Sequence, residues 1–265
     1  MRYAICSSDP AQISDARGAG FDYVEAWAPT LTRPGESEAA FEDAAATILR
    51  GGLPIESVNG FLVKGLVCIG PDADHGKIAE YADEVLRRLA KVGVSICVFG
   101  SGWARKIPDG WPREKAEEQF ASLLRRLAPI AASHGVKIAI EPLRVAECNL
   151  VNTVDEGARF AHAAASPAIG SLVDFYHWSQ NGETADTILA AKDCLLHTHV
   201  ATAANRLIPG LEPCDFTPFL RILHSIGYDA RMSIEGGIPN EDPDRVAKFR
   251  RAVETLRAAE LAARQ

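Results

Sequence analysis

Glu141, Asp174, His199 and Glu235 have the types and the placement to do chemistry together. Each stands at or near the end of an apolar, strand-like run: "VKIAIE" (136–141), "IGSLVDF" (169–175), "LLHTHV" (195–200) and "ARMSIE" (230–235). A strand needs no acid at its tip, and a buried carboxylate is costly unless something pairs with it. Three such acids in one place repel one another and resist ionisation unless a cation lies among them. A divalent metal held by three carboxylates and one imidazole removes that conflict. Ligation this rich in oxygen, with positions left open, suits Mn²⁺ best; Mg²⁺, Co²⁺ and Zn²⁺ are alternatives. For any single acid, a buried Lys or Arg partner, or plain contact with water, is a sufficient account. Four matched strand ends favour the metal.

Other residues belong to the same end of the strands. Glu147 comes six residues after Glu141, on a loop that can reach back over it. His177, three residues after Asp174 in "DFYHWSQ", is expected at the same mouth as a substrate contact. His197 lies one pleat deeper than His199, so a hydrogen bond behind the metal, or simple packing, suits it better than ligation. Glu25 and Asn59 end their strands with inward parity and are weighed equally as pocket lining and as structural groups. Trp27, Trp103, Trp111 and Trp178 all fall in loops that follow strands. Singly each is an ordinary packing residue; together they suggest an aromatic wall against sugar C–H surfaces. Of two arginines on that side, Arg206 is favoured as a substrate contact and Arg105 as a surface charge. Gly236-Gly237 could seat a phosphate through backbone N–H groups, or simply serve a turn.

To gather these residues, the chain must deliver its strand ends to one face. Strand-like runs occur at 2–6, 22–27, 55–60, 94–100, 136–141, 169–175, 195–200 and 230–235. Helical patterns follow them at 9–18, 37–50, 74–92, 113–134, 153–165, 184–191, 216–226 and 241–263. The third is strongest, with Ile78, Tyr81, Val85, Leu86 and Leu89 at helical spacing. Asn152-Thr153 and Asp215 are expected N-caps. Eight strand–helix pairs without a break in composition predict an α/β fold, a single (β/α)8 TIM barrel over residues 1–265. In a barrel, alternate strand residues point inward. Ile138, Ile140, Val173, Leu196, Thr198, Val200 and Ile234 then face the helices. Glu141, Asp174, His197, His199 and Glu235 face inward, the last residue of each run at the C-terminal mouth where barrel sites sit.

Composition narrows the classes. The chain is 47% hydrophobic and 24% charged, as expected of a globular protein. A net charge of −7 opposes a nucleic-acid surface. No apolar run approaches the 18 residues a membrane span needs. The N-terminus, "MRYAICSSDP", has no secretory h-region, and the six cysteines form no C-x-x-C pair. A cytoplasmic location with free thiols is expected. "GSGWAR" (100–105) lacks the third glycine of a dinucleotide turn and no Walker-type loop is present, so no nucleotide cofactor is expected.

The chain resembles the xylose-isomerase-like barrel superfamily, and within it the sugar isomerase/epimerase group that includes D-tagatose 3-epimerase and hydroxypyruvate isomerase. The resemblance spans essentially the whole chain. It is carried by "IEPLRVAECNLVNTVDEG" (140–157), "LVDFYHW" (172–178), "HTHVATAANRLIPG" (197–210) and "DFTPFLRILHSIGYDARMSIEG" (215–236). It implies that Glu141, Asp174, His199 and Glu235 bind the metal, and that Glu141 and Glu235 also transfer protons. It implies that Glu147, His177 and Arg206 contact the sugar. Arg206 follows His199 by seven residues, one more than in the ketose 3-epimerases. The expected function is epimerisation or isomerisation of a ketose, and the expected assembly a homo-oligomer, dimer or tetramer. A lyase acting on a keto-sugar shares the first step and is the alternative. A non-catalytic sugar-binding barrel is more remote. So is a phosphodiesterase like the apurinic endonucleases: the third and fourth strands end in Asn59 and Phe99–Gly100, and no D-x-H follows His199.

Overall fold

The computed structural model describes residues 1–238 and 243–265. Eight strands close into a barrel: β1 (Arg2–Cys6), β2 (Tyr23–Trp27), β3 (Ile55–Asn59), β4 (Ile96–Phe99), β5 (Lys137–Ile140), β6 (Ile169–Asp174), β7 (Leu195–Val200) and β8 (Arg231–Ile234). Each runs parallel to the next, and β8 pairs with β1 through Tyr3↔Met232 and its neighbours. The outer helices are α1 (Pro10–Ala19), α3 (Glu38–Leu49), α4 (His75–Lys91), α6 (Arg113–His134), α7 (Val154–Ala163), α9 (Ala185–Ala190), α10 (Thr217–Ser225) and α11 (Arg245–Ala263). The TIM barrel expected from the strand–helix period is the fold observed. Of the helix expected over 241–263, positions 241 and 242 lie outside the described residues.

Short helices α2 (Ala28–Thr32), α5 (Gly102–Arg105) and α8 (Phe175–Gln180) sit directly on the C-terminal ends of β2, β4 and β6. No periodicity announced them, because one turn or so is too short to show a 3.6-residue repeat. The longer helices begin where capping chemistry allows. Asp74 accepts from the Lys77 N–H at 2.9 Å to open α4, and Thr153 accepts from Glu156 to open α7. Asp215 accepts from the Thr217 N–H at 2.9 Å, although the cap position of α10 falls one residue after the expected one, at Phe216.

The core has two parts. Between strands and helices runs a chain of rings, Phe61–Phe99–Phe120–Phe160, with centroids 5.3, 5.6 and 5.0 Å apart. Inside the barrel, Ile96, Val98, Ala139 and Leu172 form a smaller apolar cluster. Leu196 packs on that inner cluster, which corrects its expected outward parity. A register shift between Ser171 and Leu172, opposite Leu195 and His197, inserts an extra residue and turns Leu196 inward. Beyond the bulge the alternation resumes, and His197 and His199 point inward as expected.

Candidate active site

The mouth of the barrel gathers the four residues that the strand ends suggested. One donor atom from each of Glu141, Asp174, His199 and Glu235 lies within 4.8 Å of the others. His199 Nδ1 is 3.2 Å from Glu141 Oε1 and 3.5 Å from Glu235 Oε2. Asp174 Oδ1 accepts from the Tyr176 N–H at 2.7 Å and so opens α8. Its other oxygen, Oδ2, is buried and has no hydrogen-bond partner among the described residues. A buried carboxylate oxygen without a hydrogen bond, together with two further carboxylates and an imidazole, is the donor set a divalent cation requires. These residues fit a metal ion.

Electrostatics point the same way. Burial pushes the Glu141 carboxyl up, and the Glu235 charge adds to it. Burial, then Glu235, raises Asp174 to about 7. Burial also acts on Glu235, but the hydrogen bond from His199 and the charges of His199 and Arg206 together hold it below the usual range. His199 is raised well above an ordinary imidazole: burial opposes this, and the Glu25 charge and carboxylate contacts outweigh it. Thus the cluster holds more carboxylates than its own cations satisfy.

Glu25 takes the structural one of the two readings left open for it. It is fully buried one layer below, where it accepts from Ser57 Oγ at 2.7 Å, Ser233 Oγ at 2.8 Å and His197 Nε2 at 2.7 Å. Its Oε1 also lies 2.8 Å from His199 Nε2. Glu25 therefore faces the Nε2 side of the His199 ring at ion-pair distance, without hydrogen-bond geometry, while Nδ1 faces the carboxylates. His197 supports Glu25 and stays out of the cluster. Inward parity was the one signal for this role, and parity does not reveal depth.

A cavity of about 250 Å³ opens above the four residues, lined by Trp27, Asn59, Trp103, Glu147, His177 and Arg206 among others. Asn59 Nδ2 donates to Glu235 Oε1 at 3.3 Å. Arg206 Nη2 donates to Glu235 Oε2 at 2.7 Å and lies 3.8 Å from Asp174 Oδ2. Its guanidinium stacks 4.9 Å from the Tyr176 ring. Burial, then the Arg206 charge, lowers His177 to about 3, so this imidazole is neutral at ordinary pH. Glu147 accepts from Arg144 Nε at 2.6 Å. Its loop is tied down by Asn152 Nδ2, which donates to the Leu143 and Cys148 carbonyls at 2.7 and 2.8 Å.

Glycines make room for these groups. A Cβ at Gly100 would collide with Glu141 Oε2, so the glycine of "GSGWAR" serves a carboxylate. A Cβ on Gly236 would come within 2.6 Å of the Leu207 backbone. The Gly237 N–H donates to the Arg206 carbonyl at 2.7 Å, which favours the turn over the phosphate seat: that donor is already used to anchor Arg206. Arg206 itself sits at φ +53, an uncommon conformation for a side-chain-bearing residue.

Other expectations are revised. Of the four tryptophans, Trp27 and Trp103 line the cavity, about half exposed. Trp178 packs on Phe175 and Phe219, and Trp111 lies beside Lys115. Arg105 is fully buried, not a surface charge. At the opposite, N-terminal face, His162, Asp193 and Cys194 also approach one another, but two of them are exposed and His162 already pairs with Asp193 at 3.3 Å.

The chain has relatives of known activity. The model of the xylose isomerase-like TIM barrel family matches residues 13–259. A 3-dehydro-D-guloside 4-epimerase of Escherichia coli (strain K12) is 26% identical over 217 residues, covering 76% of this chain and 79% of that protein. An L-ribulose 3-epimerase of Methylomonas sp. (strain DH-1) is 31% identical over 170 residues, 60% of this chain and 57% of that one. Among solved structures, D-psicose 3-epimerase with D-tagatose from Clostridium cellulolyticum H10 superposes with a TM-score of 0.83. That match covers 98% of this chain and 99% of the other at 18% identity, so it speaks for the fold. Barrel, mouth and family match agree: this chain belongs to the xylose isomerase-like TIM barrel family.

Proposed function

We propose that the protein is a sugar epimerase that inverts a carbon next to a ketone, with one divalent ion, Mn²⁺ first, held by Glu141, Asp174, His199 and Glu235. The observation that carries this reading is the buried Asp174 Oδ2, without a hydrogen bond, among carboxylates delivered by strands that stand around the mouth. The relatives' names describe one kind of step. Carbon 3 of a ketose adjoins its C2 ketone, and carbon 4 of a 3-dehydro sugar adjoins its C3 ketone.

When bound, such an ion would polarise the ketone and its neighbouring hydroxyl and offset the charge of an enediolate. Glu141 and Glu235 stand on β5 and β8, three strands apart around the barrel, so they approach a sugar from different sides. One removes the α-proton and the other returns one from the opposite face, which inverts the centre. Each positioned acid or base contributes on the order of 10²–10⁴-fold. The neutral His177 can donate and accept hydrogen bonds to hydroxyls. Arg206 and Glu147 bracket the remaining oxygens, and Trp27 and Trp103 offer faces to the sugar's C–H surface.

The test is to incubate the Mn²⁺-loaded protein in D₂O with ketoses, 3-oxo-glycosides and hydroxypyruvate, and to locate deuterium by NMR. Epimerised sugar labelled at the inverted carbon is expected. Label at the adjacent carbon of an aldose would make the protein an isomerase, an unsaturated product a lyase, and no exchange with any of them a binding protein.

A further inference from the structure

Arg105 is completely buried, yet among the described residues no carboxylate pairs with it. An unpaired guanidinium in a protein interior is costly, so its position asks for a reason. Its contacts supply one. Nη1 donates to the Phe99 carbonyl at 3.3 Å, and Nη2 donates to the carbonyl of Glu141.

Those two carbonyls mark where the β4–β5 ladder ends. The Glu141 N–H donates to the Phe99 carbonyl at 3.3 Å, the last rung. In a parallel ladder, the next rung would run from the N–H of residue 101 to the Glu141 carbonyl. Ser101 instead sits at φ +31 and ψ +49, and the chain turns away into α5. Beyond Glu141, the next N–H on this side of β5 is that of Leu143, and it donates to the Val151 carbonyl at 3.1 Å instead of continuing the ladder. Arg105, four residues after Ser101 at the end of that turn, returns its guanidinium to replace the missing rung. A guanidinium has donors in a fixed planar fork, so one side chain can hold both carbonyls at once; a lysine ammonium presents a single point.

We propose that Arg105 is a positioning residue for Glu141: its fork fixes the backbone from which that carboxylate reaches the metal and the sugar. The carboxylate of Glu141 occupies the space that a Cβ on Gly100 would fill. Trp103 belongs to the same single turn as Arg105 and lines the cavity mouth, so α5 joins the wall of the pocket to the acid beneath it.

The inference rests on the proposed role of Glu141, and its test is chosen to stand apart from turnover. Parent, Arg105→Lys and Arg105→Gln chains are stripped of metal and titrated with Mn²⁺ alone, followed by EPR. Turnover is then measured at saturating Mn²⁺ with whichever sugar the parent converts. We expect both variants to melt cooperatively, to bind Mn²⁺ about tenfold more weakly, and to lose about 100-fold in kcat with KM nearly unchanged, as small misplacements of a reacting group do. The Lys variant should fare no better than the Gln, because geometry and not charge is lost. Changes below threefold in both Mn²⁺ affinity and kcat, beside a lowered melting temperature, would overturn the proposal and leave Arg105 a packing residue. If one variant does not fold, the other carries the test. A parent that turns over none of the sugars retires the proposed reaction, while the Mn²⁺ titration still decides the place of Arg105.

Discussion

Glu141 and Glu235 differ in company more than in position. Glu235 takes hydrogen bonds from Asn59 and Arg206, whereas the carboxylate of Glu141 faces His199 and the bare edge of Gly100. Opposite shifts follow, upward for Glu141 and downward for Glu235. If both transfer protons, each serves as base toward one epimer and as acid toward the other. A Gln at either place cannot accept a proton, although its carbonyl oxygen can still face the ion. With Glu141→Gln, α-deuterium washout should persist from the epimer whose deuterium faces Glu235 and vanish from the other, with net turnover lost in both directions. Glu235→Gln should give the mirror pattern. Loss of all exchange in one variant and of none in the other would replace the two-face mechanism with a single base. The two histidines of β7 separate in the same way. His199→Ala should lower Mn²⁺ affinity by at least tenfold, while His197→Ala, acting through Glu25, should lower it less. Equal losses in a metal titration would put His197 among the ligands.

Between residue and barrel stand the elements, and α7 carries a pH-dependent one. Glu183 accepts from the Val154 N–H at 2.8 Å, at the first residue of that helix. A carboxylate at a helix N-terminus is ordinarily favoured. Here burial outweighs that preference, with Asp155 and Glu156 adding to it, and the group is raised to about 7. The fold therefore favours the protonated form. That contribution is complete below the unfolded value near 4.5 and is lost as pH rises through 7. Glu183→Gln keeps an acceptor for Val154 without the charge. Its melting temperature should match the parent's at pH 5 and exceed it by on the order of 2 °C at pH 8. Parallel melting curves across that range would show that Glu183 is not a buried carboxylate in solution. The elements also show what the sequence could reveal. Strands and long helices were legible because burial repeats every two or 3.6 residues, and parity then placed Glu141, Asp174, His199 and Glu235 at one mouth. Leu196 was misplaced because a bulge adds a residue without altering the local pattern. Arg105 was misjudged, and Glu25 was left between two readings, because tertiary contacts set their places: the Glu141 carbonyl for Arg105, and Ser57, His197 and Ser233 for Glu25. Neither a three-dimensional contact nor depth within a barrel has a period.

At the scale of the whole molecule, the barrel interior is divided. Toward β4, β5 and β6 it is filled by Ile96, Val98, Ala139 and Leu172; toward β7, β8, β2 and β3 it holds His197, Ser233, Glu25 and Ser57. The apolar part excludes water and stabilises the fold: removing a buried leucine side chain costs about 2–5 kcal/mol. The polar part ends at the mouth in three carboxylates, two of which, Glu141 and Asp174, resist ionisation. Such a molecule should be less stable without its cation than with it, because an ion bound only by the folded chain adds RT ln(1 + [L]/Kd) to its stability. At a hundredfold excess over Kd that term is about 2.7 kcal/mol. For a chain of this size it raises the melting temperature by roughly 5 °C. Chelation followed by Mn²⁺ addition should therefore lower and then restore the melting temperature by that amount in the parent. In His199→Ala the same Mn²⁺ concentration should produce a much smaller shift. A parent whose melting temperature ignores both chelator and Mn²⁺ would show that the folded chain meets its buried acids by protonation, and the ion would have to leave the mechanism.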